Sequence, residues 1–344
     1  MAILRYTASA DTTITNAFEV GLVDRGTGSN MGYADSLEVF SIYGQISSST
    51  DGQSQELSRT LIQFPVANIT THRTAGIIPA SGSVSFYLKM FNARTPFTLP
   101  QDFNLVVAPV SRSWTEGTGL DMDEYQDLGP SNWISSSAGQ PWISVGGDYR
   151  TASNYNVSFP QGYEDLELDV SDIMEQWLAG DDPAFANNYG FGIRLTASQE
   201  AYSAGTDNGS LIFNPQGADQ SYYTKKFFSR STEFFFKKPY IEARWDSRVV
   251  DDRENFFYSS SLAPADDNLN SLYLYNYVRG RLVNVPPIGA NNTMLVSFYS
   301  SSAGTPSGSK IALSFGGDVS TGGDLNVTAS YISTGIYSCS VAIT

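Results

Sequence analysis

The sequence predicts an all-β protein of two domains. Three observations carry that expectation. Of 344 residues, 13% are aromatic and only 16% charged, and 30 glycines and 15 prolines separate the apolar stretches, a profile that favours strands and turns over long helices. The apolar stretches are short and alternate in places, and they end in Gly, Ser, Asn or Pro clusters. A length of 344 with 41% hydrophobic residues suits one large β domain and one smaller one, with a boundary near Ser247. The expected domains are therefore 1–247 and 248–344.

Residues 3 to 18 alternate loosely and suit an opening strand with a turn behind it. DRGTGSN, from Asp24, is turn chemistry, and LEVFSIY, from Leu37 to Tyr43, is a strand. The polar tract from Gly44 to Gln55 fits a hairpin tip or exposed loop. RTLIQFPV, from Arg59, is a strongly apolar strand that Pro65 places at a strand end. GSVSFYLKM, from Gly82, sets Val84, Phe86 and Leu88 on one face. FNLVVAPVSRS, from Phe103, runs as a strand toward Trp114. LELDVSDIMEQWLAG, from Leu166, holds the one persuasive helix: Asp172 as cap, Glu175 three residues on, Ile173, Met174, Trp177 and Leu178 as an apolar face, and Gly180 to close it. NYGFGIRLTA, Ser210 to Phe213, Lys225 to Phe236 and PYIEARW complete the first domain. In the last of these, Ile241, Ala243 and Trp245 face opposite Tyr240, Glu242 and Arg244. Beyond it, strand candidates at 255–259, 272–277, 294–300, 311–315, 325–331 and 336–343 have the spacing of a small immunoglobulin-like sandwich.

The composition weighs against several functions. A net charge of −15 repels nucleic acid and anionic membranes at long range, and no run of about 18 apolar residues is present to insert into a bilayer. Residues 248–344 carry five basic and seven acidic groups, so nearly all the net negative charge belongs to the first domain. Cys339 is the only cysteine and excludes an intramolecular disulfide. The N-terminal residues lack a basic segment followed by a long apolar run, so the expectation is synthesis in the cytoplasm without an export signal. His72 is the sole histidine, in the polar segment THRT, and no G-x-S-x-G elbow accompanies it; one His and one Cys cannot build a zinc site. Carboxylates are abundant, but no pair stands out as the two acids of a glycoside hydrolase. Enzymatic activity is not expected.

The stretch from Val110 to Tyr149 concentrates what chemistry there is. It holds Trp114, Trp133 and Trp142, three of the five tryptophans, together with six acids. Asp121, Asp123, Glu124 and Asp127 offer hard oxygen ligands for calcium, yet D-x-D-E-x-x-D lacks the central glycine and closing glutamate of a calcium loop; solvated acids are the competing reading. Asp11 and Asp169 are further oxygen donors. Tyr125, Trp133, Trp142 and Tyr149 suit three roles: staples for a long loop, contacts with a neighbouring subunit, or a sugar-stacking platform. The run KKFFSRSTEFFFKKP departs most from the acidity. It reads as strands with basic edges that discourage mispairing, or as a docking strip for an acidic partner surface.

ADTTI, SRTLIQFPV, SVSFYLKM, VSRSWTEGTG, LDVSDIMEQWL and FFSRSTEFFFKKPYIEARW, in that order, resemble the DNRLRE-type jelly-roll domain, a β-sandwich family associated with extracellular proteins and carbohydrate binding. The resemblance spans about residues 6 to 247. ARWDSRVVDDRENFFYSSSLAPADDNLNSLYLYNYVRGRL and STGGDLNVTASYISTGIYSCS are similar to virion structural proteins of tailed marine phages, cyanophage-like, over residues 243 to 344. These resemblances imply a jelly roll followed by an immunoglobulin-like domain in a non-enzymatic virion structural protein, serving as a capsid decoration, neck or tail accessory component. Its implied partners are other virion proteins and further copies of itself, and its implied location is the virion. The alternative is a glycan-binding module or receptor-binding virion component that meets a host surface glycan.

Overall fold

A computed structural model describes residues 2–43, 55–95, 100–183, 185, 187–204, 210–246, 251–253, 255–302, 304–314 and 326–343. They divide into two compact units, Met1–Asp246 and Ser247–Thr344. Both are built mostly of antiparallel strands. Of the tract expected as a hairpin tip or exposed loop, Gly44 to Gln55, residues 44–54 lie outside the described residues and Gln55 begins a strand.

In chain order the first unit contains β1 (Ala2–Thr7), β2 (Ala10–Thr15), β3 (Ser36–Tyr43), β4 (Gln55–Gln63), α1 (Val66–Thr74), β5 (Val84–Met90), β6 (Phe103–Pro109), β7 (Ser135–Ser137), β8 (Gln140–Pro141), β9 (Tyr155–Phe159), β10 (Leu166–Asp169), α2 (Ser171–Ala179), β11 (Phe191–Leu195), β12 (Tyr222–Phe228) and β13 (Tyr240–Trp245). A four-stranded sheet runs β1-β13-β5-β10, and a larger one runs β12-β3-β4-β11-β6-β9 with β2 also on β4. The opening segment is thus two strands in two sheets. Ser58 pairs with both Thr15 and Phe40, and Thr60 with both Thr13 and Ile193. Hence β2 holds one edge of β4 while β3 and β11 follow one another along the other.

Alternation decides which side chains meet. Phe86, Leu88, Ile241 and Ala243 of the small sheet share one apolar core with Leu37, Val39, Phe103, Leu105, Val107, Phe191, Ile193 and Phe227 of the large sheet. The outer face of the small sheet is polar and cross-paired: Arg5 to Glu242 at 2.7 Å, Glu242 to Arg244 at 2.6 Å, Arg244 to Glu167 at 2.7 Å, and Glu167 to Lys89. The outer face of the large sheet is apolar instead. Ile14, Leu57, Leu61 and Val110 there form a second cluster with Trp133 and Trp142 from the segment 110–149. β4 is consequently buried on both faces.

Several local expectations are corrected. There are two α-helices among the described residues. α1 buries only Val66 and Ile69, too small a stripe to read as a helix; it is held by neighbours, with the Tyr6 hydroxyl 2.7 Å from His72 Nδ1 and a bidentate Arg73–Glu175 pair at 2.6 and 2.7 Å. His72 therefore lies in a helix. In α2 the N-cap position is Val170 and makes no side-chain cap; Asp172 sits inside the first turn, where its carboxylate accepts from the Tyr155 hydroxyl. Glu175 is taken by Arg73. Gly180 closes the helix in the left-handed region, φ +69°, as its position suggests. β6 stops at Pro109, after which only Val110 bridges to Tyr149. Ser210 to Phe213 forms no strand.

The second unit contains β14 (Asn270–Tyr275), β15 (Tyr277–Val278), β16 (Arg281–Leu282), β17 (Met294–Val296), β18 (Tyr299–Ser302), β19 (Thr305–Lys310), β20 (Leu313–Ser314), β21 (Val327–Ser333) and β22 (Ile336–Ile343). Its main sheet runs β14-β22-β21-β17, with β20 also on β22. Leu272, Val327, Ala329, Tyr337, Cys339 and Val341 form its core, so the lone cysteine is a small buried strand residue. The buried Tyr337 hydroxyl donates to the Gly289 carbonyl at 2.8 Å and accepts from the Val285 amide. Residues 255–259 form no strand; Tyr258 makes one isolated bridge to Ile343.

Candidate functional site

The segment 110–149 forms a cap on the outer face of the large sheet, and its rings are fixed from inside. Trp133 is fully buried and donates its indole N–H to the Ser210 carbonyl at 3.1 Å; Trp142, 5% exposed, donates to the Asn132 carbonyl at 2.8 Å; Trp114 donates to the Tyr189 carbonyl at 2.8 Å. Each indole thus has an apolar body under the cap and a satisfied N–H. Trp133 and Trp142 present no ring face to solvent, because the surface they cover is the apolar face of β2 and β4. Tyr149, half-buried, joins the same cluster and donates its hydroxyl to the Gly146 carbonyl at 2.7 Å. Tyr125 stands apart from these three and is 62% exposed.

The acids of the cap are engaged with backbone amides. Asp121 Oδ1 accepts from the Asp123 and Tyr125 amides at 3.0 and 2.8 Å, Asp123 Oδ1 from the Val20 amide at 3.0 Å, and Asp127 Oδ2 from the Thr118 amide and hydroxyl at 2.7 and 2.9 Å. Glu124 is exposed. The loop tightens around Asn30, whose Oδ1 receives the Gly32 and Gly119 amides. A Cβ at Gly117, φ +81°, would stand 2.4 Å from that oxygen. Among the described residues, no three or more His, Cys, Asp or Glu side chains gather as a metal cluster. Asp11 lies in the interior next to Arg230 and Glu116, while Asp169 takes the Ser171 amide and hydroxyl.

Between cap and sheet is a cavity of about 480 Å³ lined by residues of both. On β4, Arg59 falls between Leu57 and Leu61 on the outward side; on β11, Arg194 points outward while Ile193 and Leu195 enter the core. Arg59 is buried and forks onto Glu200, also buried, at 3.1 and 2.9 Å, while its Nη1 donates to the Gly146 carbonyl. Its guanidinium lies 5.5 Å from the Trp133 ring centre and 5.8 Å from that of Tyr149. The Arg194 guanidinium lies 5.9 Å from the centre of the same Tyr149 ring. Burial, and then the like charge of Arg59, pull the Arg194 guanidinium below its ordinary value. Neither arginine nor Glu200 stands out in the sequence as a site residue. The available signal is a charge inside an otherwise apolar strand, visible in RTLIQF and FGIRL.

A different surface is built by KKFFSRSTEFFFKKP. Lys225 is no edge charge: it is buried, and its ammonium donates to Asn92 Oδ1, Gly162 O and Glu164 O at 2.8, 3.0 and 2.7 Å. Burial lowers it to about 8, against the pull of Glu164 and Asp165. Lys226 pairs across strands with Glu38, and Arg230 forks onto Glu116 at 2.6 and 2.5 Å. The strand ends at Phe228. Phe234, Phe235 and Phe236 follow on a 3-10 turn, 44%, 80% and 59% exposed and in ring contact with one another.

No family model matches the chain, and no curated protein matches it in sequence.

Proposed function

We propose that the chain is a non-enzymatic structural protein of a tailed-phage virion, in which a jelly-roll unit and an immunoglobulin-like unit work through contacts with other virion proteins. The observation that carries this reading is the exposed triplet Phe234–Phe236. Three adjacent phenylalanines held open to solvent on a short turn are costly for an isolated surface and suit the apolar centre of a protein contact. The stretches that resemble marine-phage virion proteins, over residues 243 to 344, point in the same direction. Mass spectrometry of purified virions from a phage encoding this chain should recover its peptides at stoichiometric abundance. Their absence from the particle, with the protein present in the infected cell, would refute the reading.

A further inference from the structure

We propose that the cavity beneath the cap is a binding site for a small organic carboxylate whose charge pairs with Arg194. This inference concerns a ligand and does not depend on the virion reading. Arg59, Arg194 and Asp148 line the cavity; Arg59 takes Glu200 behind it, and Asp148 has Arg112 at 3.5 Å. One positive charge remains, in a chain whose net charge is −15. Its owner is Arg194. Among the described residues its one hydrogen bond is a long 3.5 Å contact from Nη1 to the Leu195 carbonyl, and no carboxylate forms an ion pair with it.

A half-buried guanidinium left in this state forfeits hydration without recovering it from a partner. Its planar fork matches a carboxylate in two parallel hydrogen bonds. The cavity, at about 480 Å³, falls within the size range of small-molecule sites and far exceeds the volume of an inorganic anion. Its remaining lining mixes hydroxyls, from Ser144 and Thr151, with the apolar groups of Ile143 and Phe213. The ligand should therefore carry an organic body beside its charge. Arg59 is already forked onto Glu200, which leaves Arg194 as the guanidinium open to a carboxylate.

The test is calorimetric titration of the full chain with glucuronate, N-acetylglutamate and hexanoate, beside neutral glucose and inorganic phosphate. At least one carboxylate should bind with measurable heat and raise the melting temperature, more strongly than phosphate, while glucose does neither. Arg194→Met should weaken that binding by roughly tenfold to a hundredfold, the worth of a charged hydrogen bond, without lowering the melting temperature of the free protein. Arg194→Lys, which keeps the charge and loses the fork, should fall between the two and serves as the readout if the Met variant does not fold. No binding by any of the three carboxylates, tighter binding of phosphate or glucose, or undiminished binding by the arginine variants would each overturn the proposal.

Discussion

Asp11 is fully buried, and its two carboxylate oxygens are treated unequally. Oδ2 accepts the Arg230 amide at 2.7 Å, while Oδ1 has no partner and Glu116 stands close by. Burial is the main reason its pKa rises from 3.8 to about 7, with the Glu116 charge adding to it. A raised acid holds its proton in the folded state where the unfolded chain has lost it. Its contribution to stability is therefore complete below about pH 3.8 and declines as pH climbs through about 7. Asp11→Asn should remove that decline, so the variant should exceed the native protein in urea stability by an amount that grows between these limits and levels off above them, on the order of a few kcal/mol. Equal pH profiles for the two proteins would show that Asp11 titrates in the folded protein as it does in the unfolded chain. Asp11 also marks the limit of reading at this scale. The sequence offers it as one more oxygen donor, because neither its burial nor its neighbours Glu116 and Arg230, 105 and 219 residues away in contact with it, are visible locally. The Arg59–Glu200 pair, 141 residues apart, escapes notice for the same reason.

Among the elements, the cap was legible as an aromatic-anchored loop, since tryptophan is a poor choice for a solvated linker and the three indoles are indeed held inside. What the alternation of β13 implies also holds: Ile241 and Ala243 enter the core and Glu242 turns outward to Arg5 and Arg244. α1 was hidden because two buried residues and three threonines leave little helical stripe, and the threonine hydroxyls instead donate one turn back along the helix. The phenylalanine run misled in the opposite direction, since its β propensity suggests strand where the chain makes a 3-10 turn. The fit of cap to sheet rests on Gly192 of β11: a Cβ there would stand 1.9 Å from Cε1 of Tyr149. Gly192→Ala should cost about 1–3 kcal/mol or more in urea unfolding as the ring is pushed off the strand. In a Tyr149→Ala background the same substitution should cost little, and additive costs would mean that the two residues do not meet.

For the molecule as a whole, composition and turn spacing were enough to anticipate an all-β chain, because they average over many elements. Which strand lies beside which was not anticipated, since pairing joins partners from tens to more than two hundred positions apart. Of the net charge of −15, residues 248–344 hold only about −2 by count, which leaves 1–247 under considerable self-repulsion. Moderate sodium chloride should therefore raise the melting temperature measured at pH 8 in low-salt buffer. A fall would mean that the paired groups on the small sheet, from Arg5 to Lys89, outweigh the repulsion.

The pairing of β1 with β13 joins Ala2 to Trp245. β1 leaves the ribosome more than two hundred residues before its partner, which is among the last strands of the unit. At roughly 5–20 residues per second, the nascent chain carries an unpaired strand edge for some tens of seconds before the unit can close. Synthesis rate thereby becomes a quantity that the fold has to tolerate, and any helper that shields an open strand edge has its window of action set by the distance between these two strands.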